Sequence, residues 1–329
     1  MKSLHDLSRS RLHRLWICCS ALFVLVFVGG YFATRGVINQ PWTARTNMGS
    51  AVIGDQIFVV GGQSQFTGEL LDDVLRLDPN HASLRFVAQL PYACHRPGIA
   101  VSNDSLFVLG GYDGKSYRSE ILRVVDDEAR VIARLPGPRA YGAAIGVGNA
   151  LYYAGGWDGE RMLDDIVAID LSSGAATVVA QLSSPRRFVA AAAVGNLIYF
   201  VGGEGSRSTF SDEIVEFDPE RSRIVRIGHL PTGRYLVGAV SGGSNLLVLG
   251  GKNTRSLDEV LSVDVSGATL DTEVVGRITE LSWNLAVEAI EDRVFIIGGS
   301  DSTFRKAIGL LEYVWDSDAV VSHTLRKSP

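Results

Sequence analysis

Six Gly-Gly pairs divide the chain at nearly even intervals: Gly61-Gly62, Gly110-Gly111, Gly155-Gly156, Gly202-Gly203, Gly250-Gly251 and Gly298-Gly299. Their first members are 49, 45, 47, 48 and 48 positions apart. Each pair closes a short apolar run, among them QIFVV, SLFVL, ALYYA and LIYFV. A β-rich run ending in two glycines, repeated at this period, requires a stack of like supersecondary units. About fifty residues is the length of one four-stranded propeller blade. The expected fold is therefore all-β, with six blades.

Within one period four strands can be read in order. They are Arg139-Ala-Tyr-Gly-Ala-Ala-Ile (a), Ala150-Leu-Tyr-Tyr-Ala (b), Asp165-Ile-Val-Ala-Ile-Asp170 (c) and Ala176-Thr-Val-Val-Ala-Gln-Leu182 (d). Strand a starts near Arg45, Arg96, Arg139, Arg186 and Arg234, with Trp283 at the sixth place. This repeat resembles the kelch family over residues 45–329. The resemblance implies a six-bladed kelch-type propeller. Kelch units usually carry Tyr in strand c and Trp in strand d. Here Leu77, Ile169, Val178 and Val225 occupy such places, so the expectation is that aliphatic bulk replaces the aromatic pair. A propeller fold alone does not assign a function.

The glycines are expected to adopt positive φ and to admit a neighbouring backbone at close range. About 285 residues in six blades bury a large distributed core without a further domain. The last blade owns a full set of strands, with Ala319-Val-Val-Ser-His323 as strand d. Ring closure is then expected without a swapped strand, with residues 36 to 43 available as an extra edge partner.

Residues 15–34 carry no charge, and Trp16 to Val28 is almost wholly apolar. About twenty such residues, at ~1.5 Å each, span a bilayer core. Lys2, Arg9, Arg11 and Arg14 precede them against a single acid, Asp6. By the positive-inside rule, 1–14 is a cytoplasmic tail, 15–34 a transmembrane signal-anchor helix and 35–44 a linker. The propeller at 45–329 then faces the periplasm or the cell exterior. A cleaved signal peptide fits the same charge and apolar pattern, although Val28-Gly-Gly30 is only a poor cleavage site. The three cysteines are Cys18, Cys19 and Cys94, so the exported part has no pair for a disulfide. Asn103-Asp-Ser105 forms a glycosylation sequon of a kind expected by chance in a chain this long.

In an up-and-down blade the d–a and b–c connections share one rim. That rim collects Arg96, Arg139, Arg187, Arg207 and Arg234, interleaved with Tyr141, Trp157, Tyr235 and Trp283. The opposite rim is rich in Asp, so the first is expected to be positive although the chain carries −5 overall. Arginine with exposed rings suits recognition of a glycan, a sugar acid or a protein partner. These nine residues are the candidate ligand-binding set. Recurrence of an arginine at one repeat position favours a scaffold tie, whereas Trp157 and Trp283 break the pattern. Export and an acidic balance argue against nucleic acid.

Acid pairs at Asp72-Asp73, Asp164-Asp165, Asp212-Glu213 and Asp258-Glu259 recur just before strand c. They are expected to accept loop backbone N–H groups rather than to hold a metal. No cofactor or metal is expected. Kelch enzymes that oxidise alcohols use a copper set of two His, two Tyr and a Cys, which this sequence does not reproduce. Exported sialic acid mutarotases of the same repeat class carry a Glu directly after a blade glycine and an Arg further on. Glu204 and Arg207 resemble that pair at shorter spacing and form the enzymatic alternative, with the carboxylate as proton shuttle. The primary reading is a membrane-anchored recognition module without catalysis.

Overall fold

The computed structural model describes residues 45–81, 83–278, 283–299, 310–314, 319–323 and 326–327. The expected tail, anchor and linker at 1–14, 15–34 and 35–44 lie outside the described residues. No helix among the described residues is long and apolar enough to cross a membrane. Ala44–Pro329 forms one compact unit.

Apart from a short pairing of Arg45–Thr46 with Gln63–Ser64 and the edge strand Arg326–Lys327, the described strands fall into antiparallel meanders of four, each drawn from consecutive sequence. In unit three the strands are Ala143–Val147, Ala150–Ala154, Asp165–Asp170 and Ala176–Gln181. Unit four repeats them as Ala190–Val194, Leu197–Val201, Glu213–Asp218 and Arg223–His229. Unit five begins at Gly238–Gly242 and unit six at Ala286–Ile290. Units one and two begin at Gly49–Ile53 and Gly98–Ser102. Their outer strands touch through a parallel pair, Glu128 with Gln89, which merges the two meanders into one sheet. First strands contact first strands around the ring, including the sixth against the first. Ala319–His323 is the fourth strand of the last unit, as the sequence suggests.

The core is shared between neighbours. Leu151, Tyr153 and Val167 of unit three pack with Phe107, Leu109 and Ile121 of unit two. Phe200 and Phe217 of unit four join Tyr152 and Ile166 of unit three. Second strands are buried on both faces, and Ser105–Leu109 is enclosed along its whole length. This explains why the b runs are continuously apolar instead of alternating.

The Gly-Gly pairs stitch adjacent units. Gly110 has φ +62, and a Cβ there would lie 2.2 Å from the carbonyl oxygen of Arg139 in the next unit. Gly111 donates its N–H to that same oxygen at 2.8 Å. Gly62, Gly156 and Gly203 repeat the bond to Cys94, Arg186 and Arg234. Only a residue without Cβ combines the left-handed turn with this approach.

Three expectations need correction. Val178 and Val225 do not supply core bulk: they are 52% and 37% exposed on outer strands, while Leu77 and Ile169 are fully buried. Arg96 is not the unit-two counterpart of Arg139. Cys94 occupies that place, and its sulfur faces Gly110 O at 3.5 Å where Arg45 and Arg234 bond Gly61 O and Gly250 O. Trp283 likewise stands one residue beyond the arginine place, beside Asn284. Separately, Arg326–Lys327 pairs in parallel with Ser83–Leu84 on the outer strand of unit one. Residues 36 to 43, the suggested edge partner, lie outside the described residues.

Candidate functional site

Each unit opens with a short motif on the rim where d–a and b–c connections meet. At its first position Arg45, Arg139, Arg186 and Arg234 are 0–3% exposed. All four meet an acid at the start of the third strand of their own unit. The pairs are Arg45–Asp73 at 2.7 Å, Arg139–Asp165 at 2.6 Å, Arg186–Glu213 at 2.8 Å and Arg234–Glu259 at 2.9 Å. The recurrent acids therefore accept guanidinium groups rather than loop amides, because burial leaves a cation that needs a carboxylate close by. Unit two lacks the arginine, and its Glu120 is held instead by Arg118 and Arg134. These pairs neutralise much of the charge expected on this rim.

The third position of the motif builds a different layer. Asn47, Arg96, Tyr141, Phe188, Leu236 and Asn284 all have φ between 54 and 65. A left-handed conformation at so many bulky side chains costs energy at each, so the surroundings must hold it in place. Backbone bonds do this from unit to unit. Arg96 N–H donates to Asn47 O at 2.8 Å, Tyr141 to Arg96 at 3.1 Å, Phe188 to Tyr141 at 2.6 Å and Asn284 to Leu236 at 3.1 Å. The side chains surround a mouth of about 160 Å³ over the axis, lined by Arg96, Tyr141, Phe188 and Leu236.

Arg96 reaches across this mouth. Its Nε donates to Asn47 Oδ1 at 2.8 Å and its Nη2 to Asn284 Oδ1. Among the described residues no carboxylate pairs with it, and burial lowers its pKa to about 10. Phe188 lies between two cations, Arg96 at 5.0 Å and Arg187 at 4.9 Å from its ring centre. From Phe188 a band of rings runs both ways. On one side Tyr141 is at 5.3 Å, then Tyr117 at 6.3 Å and Tyr112 at 4.9 Å. On the other, Tyr235 follows at 5.7 Å and stacks on Phe210 at 5.2 Å. His95 packs edge-on to Tyr141 and is kept neutral, since burial and then the charge of Arg96 lower its pKa to about 4.

The nine candidate residues thus separate by depth. Arg96 and Tyr141 line the mouth, and Arg187 and Tyr235 adjoin it through Phe188. Arg139 and Arg234 lie beneath it, enclosed and paired. Trp157 is half-buried, and its backbone bridges Ala140 next to Tyr141. Trp283 takes Lys252 Nζ over its ring at 4.5 Å. Arg207 stands exposed on a 3-10 turn, Ser206–Ser208, at φ 56. Glu204 does not meet it: its carboxylate accepts Arg187 Nε at 3.0 Å. No group of three or more His, Cys, Asp or Glu is arranged to hold a metal among the described residues. Cys94 is buried, and its thiol is pushed up to about 12.

Asn47 and Asn284 were not legible as site residues. The only sequence signal was their equal spacing from the Gly-Gly pairs, which stays hidden until Arg96 is assigned to the third motif position. A family model described as the KLHDC2/KLHL20/DRC7 Kelch-repeats domain matches residues 47–227. That span is more than half of the 329-residue chain. No curated protein matches it. Repeated Gly-Gly turns, four-stranded units and this match agree, and the chain belongs to the kelch-repeat family.

Proposed function

We propose that the chain is a protein-recognition module: a six-bladed kelch propeller that binds a partner across its aromatic, arginine-bearing mouth. The observation that carries this reading is the continuous band from Tyr112 through Phe188 to Phe210, which spans four units and is flanked by Arg96 and Arg187. Tyr, Phe and Arg set side by side are the chemistry of interface hot spots. An extended protein surface uses the whole band, and a free sugar acid does not. Kelch domains generally bind proteins, which favours the same choice over a glycan.

The uncharged run at 15–34 and the basic residues before it motivate a further part of this reading. It places the propeller outside the cytoplasm on a single-pass anchor. Protease added outside intact cells should digest the propeller and spare a tag at Met1; a protected propeller overturns the orientation. For recognition itself, a displayed peptide library is selected on the full chain. Trp157→Ala and Arg207→Ala should lower affinity for the selected peptides while moving stability by less than about 0.5 kcal/mol. Unchanged affinity in both removes them from the binding face. The mutarotase alternative requires Glu204 as a free base, whereas Arg187 holds it. Its test is anomer exchange of N-acetylneuraminate by NMR, where no acceleration is expected.

A further inference from the structure

The third residue of each first strand pairs with the middle of its second strand. The six are Ala51, Ala100, Ile145, Ala192, Val240 and Glu288. In five units that side chain packs toward the second residue of the next unit's first strand. Ala51 meets the cluster of Ile99, Ala192 that of Ala239, and Val240 that of Val287. The seam between the sixth and first units differs. There Ser50 Oγ donates to Glu288 Oε1 at 2.5 Å.

Glu288 lines an axial cavity of about 400 Å³ whose wall is otherwise Ala, Gly, Val, Ile and Ser. It is the one titratable side chain among those wall residues; the adjoining mouth adds Arg96 and Tyr141. No basic group pairs with Glu288 among the described residues. This is also the seam that the chain does not close by exchanging a strand, because each unit's strands are consecutive. Among the described residues its other ties include lateral packing, a bond from Arg293 Nη1 to Asn80 Oδ1 at 2.7 Å and the two-residue pairing of Arg326–Lys327 with Ser83–Leu84.

We propose that Glu288 is a proton-operated latch on ring closure: the protonated acid packs in the seam between the last unit and the first, its ionisation loosens that seam alone, and Ser50 tunes the midpoint. Glu288 is partly exposed, toward this cavity, and a charge set there beside alanine, valine and isoleucine side chains with no counterion is costly unless water fills the site. Burial raises the Glu288 pKa from 4.5 to about 7, whereas the Ser50 hydroxyl opposes the shift. In an open, hydrated seam the acid returns toward its ordinary value. The closed seam therefore holds more protons between those values, and closure weakens as pH rises from about 5 to 7, then levels off.

The test is hydrogen exchange on the full chain in detergent, followed by mass spectrometry and corrected for the intrinsic pH dependence of exchange. Peptides covering Gly49–Ile53 and Ala286–Ile290 should open on the order of 10–100-fold more at pH 8 than at pH 5. Peptides from Ala190–Val194 and Gly238–Gly242 serve as the control seam. Glu288→Gln should abolish the pH dependence at the closing seam. Ser50→Ala keeps the carboxyl, removes a bond that favours its charged form, and should move the midpoint to higher pH. Equal pH dependence at the control seam, or its persistence in Glu288→Gln, overturns the latch. So does a midpoint unmoved in Ser50→Ala, which remains readable if the Gln variant fails to fold.

Discussion

Arg186 and Arg187 are neighbours in sequence with opposite duties. Arg186 is 1% exposed and locked to Glu213 at 2.8 Å beneath the rim. Arg187 lies on the surface above it, paired with Glu204 and stacked against Phe188. The deeper arginine recurs in four units with its own acid each time; the upper position holds Thr46, His95, Ala140, Arg187, Tyr235 and Trp283 in turn. Repetition marks what holds a unit's first and third strands together. Variation marks what a ligand is free to shape.

The difference is sharpest in the buried layer. Arg234→Ala leaves Glu259 and the Gly250 carbonyl without their donor. Breaking one side of such a pair costs about 3–5 kcal/mol, measurable by urea denaturation. A loss below about 1 kcal/mol would return this arginine to the list of surface residues. Next comes the seam itself: Gly110→Ala forces a Cβ against the Arg139 carbonyl at a left-handed backbone. Strain and overpacking together predict a loss of about 2–4 kcal/mol. A variant as stable as the parent would mean that the units are not held at this distance.

A smaller effect separates the mouth from the seam by pH. The folded pKa of His95 lies below its ordinary 6.5, at about 4. The folded chain then binds fewer protons at this residue than the unfolded one, so stability falls as pH drops from about 6.5 to 4. Glu288 has the opposite sign, since its contribution falls as pH rises from 4.5 to about 7. The two slopes oppose each other in the parent and come apart in His95→Gln, which should keep only the decline toward neutral pH. The expected gain at pH 4.5 is about 1–2 kcal/mol. No gain would show that His95 is solvated in the folded state.

Much of the scaffold was legible because glycine has few structural substitutes. A Gly-Gly turn at a fixed period after an apolar run admits one repeated geometry, and the b strands, turns and last strand follow from it. Counting arginines from those turns misled at Arg96, because a two-residue offset is invisible when Cys94 replaces the recurrent side chain. The acid pairs misled for a related reason. Sequence shows that Asp165 and Arg139 recur, but their distance of 2.6 Å depends on how the first and third strands of one unit meet at the rim. Tyr141, Arg187 and Tyr235 were found by composition, whereas their juxtaposition around Phe188 required the left-handed ring of the third motif position.

Recognition belongs to the variable second and third motif positions. Phe188 is at their middle, held between Arg96 and Arg187 and in contact with both halves of the aromatic band. The direct measurement is calorimetric titration of a selected peptide into the parent chain and into Phe188→Ala, with thermal unfolding of both. The account predicts an affinity loss of tenfold or more, the scale of a hot-spot aromatic, with melting temperatures close together. Unchanged affinity in a folded Phe188→Ala chain would contradict it and move recognition off the mouth.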